Sequence, residues 1–137
     1  MSQGGNANAN GLRLEKRVEA VLEQLGLEYI KQHKYTSIYG HTAKMDFYLP
    51  EFDTAIEVKN QEGAGSVCEK IPYVMENFEQ HPAKKGLLVL GGAFWPTRPG
   101  ITDWAIEKAK KSSKDIQVCY FNSLGEWFEQ AKNRCTT

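Results

Sequence analysis

The sequence predicts an α/β (α+β) fold: a mixed central sheet flanked by helices, in the order α-β-β-β-α-β-α-β-α. Three observations carry this expectation. Residues 11–25 repeat apolar side chains at helical spacing, residues 43–61 read as two strands joined by a turn, and residues 86–91 form a wholly apolar run. A run of that last kind marks a strand covered on both faces. At 137 residues the chain is long enough to bury a core without staples.

Met1 to Asn10 is Gly, Asn, Ala and Ser with little to bury, so a flexible leader is expected there and a single domain over 11–137. In the first helix Leu14, Val18, Val21, Leu22 and Leu25 form one stripe, with Gly26 as the stop. Glu15 falls at the edge of that stripe, and Glu19 lies further toward solvent. Residues 27–35 make the first strand, followed by a loop from Ser37 to Thr42. After the hairpin, Gly63-Ala-Gly65 breaks the pattern and Ser66-Val-Cys-Glu69 is a capping-box sequence for a helix reaching about Gln80. Glu69 is read there as a capping residue only. The 86–91 strand leads into a loop rich in Gly and Pro that holds Trp95 and Arg98. A helix over 101–113, a strand over 116–121 and a terminal helix opened by the capping box Ser123-Leu-Gly-Glu126 complete the order.

The chemistry gathers on the hairpin. If the turn pairs Leu49 with Thr54, the antiparallel register sets Asp46 directly opposite Glu57. Alternation puts Asp46 and Tyr48 on one face of their strand, and Ala55, Glu57, Lys59 and Gln61 on one face of theirs. Two carboxylates that close repel unless a cation lies between them. Phosphodiester hydrolysis needs an oriented water and neutralisation of charge on phosphate, and Mg²⁺ supplies much of this when held by one or two carboxylates. Asp46 and Glu57 are the candidate metal ligands, with the carbonyl of Val58 as a third. Lys59 is the candidate to orient the attacking water, lower its pKa or stabilise developing negative charge.

Asp46, an eleven-residue step to Glu57, then Val58 and Lys59 resembles the bipartite motif of the PD-(D/E)XK nuclease superfamily, the restriction-endonuclease-like fold. Met45 stands where that motif has its proline. Gln61 extends the resemblance to an E-x-K-x-Q form, and Glu15 matches the glutamate of the family's first helix, so both join the candidate catalytic set. The resemblance implies a restriction-endonuclease-like core, Mg²⁺ as cofactor with Mn²⁺ able to substitute, and an endonuclease cutting double-stranded DNA. Small homing, restriction, junction-resolving and repair enzymes fall within it. A short chain favours a homodimer or higher homo-oligomer, each protomer cutting one strand. Two alternatives stand beside this: an RNA-directed nuclease, and a catalytically silent nucleic-acid-binding or assembly module. A silent relative would usually have lost Asp46, Glu57 or Lys59, and none is missing.

Composition excludes other classes. No apolar run approaches a membrane span and no basic-then-apolar leader marks a signal peptide, so an intracellular protein, cytoplasmic or nucleoid-associated, is expected. Cys68, Cys119 and Cys135 are odd in number and far apart, which argues against a disulfide framework or zinc knuckle. His33, His41 and His81 have no metal-ligand spacing. Net charge is zero, but residues 46–79 hold eight acids against two lysines while the flanks 29–45 and 80–102 hold only bases. An acidic centre between basic flanks suits a cation site beside a phosphate backbone. Lys31, His33, Lys34, His41, Lys44, Lys70 and Arg98 are the candidate nucleic-acid contacts. Trp95 is either a buried anchor or a surface for base stacking or subunit packing.

Overall fold

Leu14, Val18 and Leu22 do become the buried stripe of a helix, which covers one face of a five-stranded sheet. The computed structural model describes the backbone of residues 3–136 and the side chains of residues 9–132. Its elements are α1 (Gln3–Gln24), β1 (Ile30–Thr36), β2 (Thr42–Leu49), β3 (Thr54–Asn60), α2 (Ile71–Gln80), β4 (Lys85–Gly91), α3 (Pro99–Lys110), β5 (Asp115–Tyr120) and α4 (Leu124–Thr136). The order is the predicted one. The strands lie β1-β2-β3-β4-β5, antiparallel from β1 to β3 and parallel from β3 to β5, so the sheet is mixed.

Two boundaries differ from expectation. Residues 3–10, expected as a flexible leader, are the first turns of α1. Once the amphipathic part has nucleated a helix, each further residue adds a hydrogen bond. Ser66 does not form the expected capping box. A 3-10 turn over Val67–Lys70 comes first, and Ser66 has a near-zero ψ of 3° and no side-chain cap bond, whereas a cap needs extended backbone. α2 starts only at Ile71, with Pro72 in its first turn where its missing N–H costs nothing.

The core has two parts, one on each side of the sheet. Leu14, Val18 and Leu22 from α1 and Leu124 and Phe128 from α4 pack on Phe47, Leu49, Ile56, Val58, Leu87 and Val89. On the other side Ile71, Val74, Met75 and Phe78 from α2, and Ala105 and Ala109 from α3, pack on Ala55, Leu88 and Leu90. β4 supplies residues to both, as its unbroken apolar run predicts.

Strict alternation fails at one place. Phe47 belongs to the α1 side, yet Met45, two residues earlier, belongs to the α2 side. β1 makes the same exchange: Lys31 pairs with Glu19 of α1, whereas His33 bonds to His81 beyond the end of α2. The residues between are Gln32, which has left-handed backbone with φ 52°, and Asp46. Both strands therefore swap faces together, at the level of the predicted acid.

Candidate active site

The β2–β3 register is the one the turn predicts, with Leu49 opposite Thr54 and Phe47 opposite Ile56. One step further the regular ladder stops. Asp46 N–H donates to Glu57 Oε1 at 3.0 Å, and Val58 N–H donates to Asp46 Oδ2 at 2.8 Å. Side-chain carboxylates thus replace backbone carbonyls as acceptors where the strands part. Each acid spends one oxygen on the neighbouring strand and turns the rest of its carboxylate toward the side chains around it.

Both acids are buried, each about 9% exposed, so desolvation governs their charge. Burial, then the Asp46 charge, pushes Glu57 up to about 8. Asp46 is also raised by burial, against the opposing pull of the Val58 N–H. Glu15 reaches in from α1 and is raised to about 7 by burial, then by the charge of Asp46 and a hydrogen bond to it. Lys59 Nζ lies 3.6 Å from Glu57 Oε2 and is the cation of this group. Three carboxylates against one ammonium leave the cluster short of positive charge, and hard oxygen donors in that state fit a divalent ion such as Mg²⁺. Among the described residues no three or more His, Cys, Asp or Glu side chains are gathered in a ready ion-holding geometry. The fit therefore rests on the Asp46 and Glu57 pair with Glu15 beside it.

Two clefts open on either side of Lys59. One of about 390 Å³ is lined by Tyr35, Lys44, Glu57, Lys59, Lys70 and Tyr73 among others. The other, about 430 Å³, is lined by Leu12, Glu15, Val58, Lys59, Asn60 and Lys70 among others. The two share Lys59 and Lys70, with Glu57 lining the first and Glu15 the second.

Gln61 is not brought to the carboxylates. Its Oε1 accepts from Cys68 N–H at 2.8 Å and its Nε2 donates to the Gly63 carbonyl at 2.9 Å, so its amide fastens the 61–68 loop. Val58 enters through its N–H, a contribution that residue type could not reveal. Gln32 was missed as well: its side chain hydrogen-bonds Asp46, and its left-handed backbone is what no strand pattern would suggest.

Of the candidate nucleic-acid contacts, Lys44 and Lys70 line the clefts. Lys34 and His41 are exposed, and Lys34 stands directly opposite Lys44 across β1 and β2. Lys31 is 3.1 Å from Glu19, and Glu19, held below the usual carboxylate range by the Tyr29 hydroxyl and then Lys31, is a surface ion-pair partner. His33 is stacked on Tyr48 and bonded to His81 at 2.8 Å, which engages it inside the protein. Arg98 is exposed and lines a separate open groove with Phe94 and Cys68. Trp95 is fully buried and its Nε1 donates to the Gly91 carbonyl at 2.7 Å, so it is an anchor and cannot stack on a base.

Comparison with curated proteins returned no match, and neither did comparison with solved structures. A family model does match, that of the PD-(D/E)XK nuclease superfamily domain, over residues 6–132. With nearly the whole chain covered, and with the mixed five-stranded sheet and its four helices consistent with a restriction-endonuclease-like fold, the chain belongs to the PD-(D/E)XK nuclease superfamily.

Proposed function

We propose that the chain is a divalent-metal-dependent endonuclease that hydrolyses phosphodiester bonds in double-stranded DNA. The observation that carries this reading is the broken ladder at Asp46 and Glu57, where two buried acids and Glu15 crowd around Lys59. Nucleases of this superfamily generally use divalent metals such as Mg²⁺. Asp46 and Glu57 would hold the ion, with the Val58 carbonyl as a further donor and Mn²⁺ able to replace Mg²⁺. When bound, the ion supplies Lewis-acid polarisation of the phosphate and neutralises its charge.

The residues of the chain do the rest. Lys59 Nζ orients the attacking water and stabilises negative charge developing on the phosphate oxygens. Glu15, hydrogen-bonded to Asp46, would hold a proton between the two acids and would release it if a bound cation offset their repulsion. The N–H groups of Asp46 and Val58 fix the two carboxylates, so little rotamer entropy is left to lose when phosphate arrives. The nucleic-acid partner is supported by Lys34 and Lys44, which sit directly opposite on paired strands. Like charges so placed repel, and a phosphate backbone relieves the repulsion. A duplex has two strands and each chain one site, so the working unit is a homodimer, acting inside the cell where DNA is found.

Plasmid DNA incubated with the protein is expected to be nicked or linearised in Mg²⁺ or Mn²⁺ and to stay intact in EDTA. Asp46→Ala and Lys59→Ala are expected to lower the rate at least a hundredfold, roughly the loss seen when a charge-stabilising group is removed. Cleavage that persists in EDTA or in both variants would overturn the assignment. RNA in place of DNA, cut at the higher rate, would move the substrate and leave the site.

A further inference from the structure

We propose that the cleft beside Glu57 and Lys59 receives an unpaired stretch of the nucleic acid, with Tyr39 and Tyr73 as the platform on which its bases stack. This rests on the nuclease reading of the same site and adds the form of the substrate. Four observations support it.

The first is aromatic. Tyr39, on the β1–β2 loop, and Tyr73, on α2, lie with ring centroids 5.5 Å apart and planes 23° from parallel. They remain open to solvent, 69% and 37% exposed. The loop is held against α2 by Ile38 N–H donating to the buried Asn77 Oδ1 at 3.1 Å, so the ring pair stands on a fixed support. Tyr73 and Asn77 line the cleft together with Glu57 and Lys59.

Charge is the second. Lys44 and Lys70 line the same cleft, and among the described residues neither has an acidic partner. Unmatched ammonium groups beside exposed rings are the combination by which single strands are held, cations on the backbone and bases on aromatic faces.

Size is the third. About 390 Å³ is the scale of a small-ligand site, room for about one nucleotide and too little for a duplex. The fourth is continuity: Tyr73 of the ring pair lines the same cleft as Glu57 and Lys59, so a strand whose base rested on the tyrosines would have its next phosphates within that cleft. The paired part of the substrate would then lie outside the cleft, on the side of the exposed Lys34.

The test separates binding from cutting. Fluorescence anisotropy in EDTA compares a fully paired oligonucleotide duplex with the same duplex carrying an internal unpaired stretch or a single-stranded flap. Tighter binding of the unpaired forms is expected. Tyr39→Ala and Tyr73→Ala should remove most of that preference, weakening the unpaired substrate roughly five- to a hundredfold, the range of a lost base–aromatic stack. The paired duplex should change little, and Tyr39→Phe should restore the preference because it keeps the ring. Equal binding of paired and unpaired forms would overturn the proposal. So would tyrosine variants that weaken both alike, or Tyr39→Phe behaving as Tyr39→Ala. Wild-type protein that prefers unpaired DNA in EDTA yet cuts nothing in Mg²⁺ or Mn²⁺ would overturn the nuclease reading and leave this one standing.

Discussion

His81 shows how a residue outside the site couples the fold to pH. It is buried, and its Nδ1 accepts from Ala83 N–H at 3.0 Å, so its Nε2 bears the proton donated to His33 Nδ1. Adding a proton breaks one of these bonds. Burial, then the charges of His33 and Lys114, pulls His81 down to about 4, with Asp53 opposing. The unfolded chain takes up this proton near pH 6.5, so the stability due to neutral His81 is complete above that pH and is lost as pH falls from 6.5 toward 4. Urea midpoints should fall across this window, with on the order of 2 kcal/mol attributable to His81. His81→Asn, which keeps an acceptor for Ala83 but does not titrate, should show a smaller fall and cost about 1–2 kcal/mol at neutral pH. At this scale the sequence disclosed residue types and little of their partners. Asp46, Glu57 and Lys59 were legible because a turn and a spacing fix their relation, and Glu15 because it lies at the edge of an apolar stripe. The His33 and His81 pair joins residues 48 positions apart, and no local pattern encodes it.

Elements were legible wherever periodicity was strong, and their junctions were not. The unbroken apolar run of β4 predicted a strand with a layer on each side, and it has them. The Ser66 capping box failed because Pro72 and the preceding 3-10 turn decide where α2 starts. Gln61 resembled part of a motif, but its position after β3 makes it the fastening of a loop. Its backbone matters equally. Gln61 N–H donates to the Gly91 carbonyl and Phe94 N–H to the Gln61 carbonyl, and Gly92, at φ 98°, passes so near that an added Cβ would lie 2.3 Å from the Gln61 oxygen. Gly92→Ala is therefore expected to destabilise by about 2–4 kcal/mol, from left-handed strain together with the overlap. Thermal and urea unfolding measure this. A variant within 1 kcal/mol of the parent would show that the junction yields.

Across the whole molecule, the proposed cleavage of a duplex by a single acid cluster among the described residues makes the count of chains a kinetic quantity. Sedimentation should give a dimer at working concentration. A mixture of wild-type protein with excess Asp46→Ala should accumulate nicked plasmid over linear, because a mixed pair has one working site. Fast linearisation by a monomer would contradict the paired arrangement. The order of nine elements was readable at this scale, since each follows from its own pattern. The joint exchange of faces at Gln32 and Asp46 was not, since it depends on two strands bending together.

That exchange bears on descent. Asp46 and Glu57 do more than present acids: they accept the N–H groups of Val58 and Asp46 where the ladder opens, and the core divides between Met45 and Phe47 at the same level. A lineage that abandoned cleavage would still be under selection to fill both positions with short polar acceptors. Asp46→Asn and Glu57→Gln are the replacements open to it, and Lys59, which has no such duty, is the residue that would drift first.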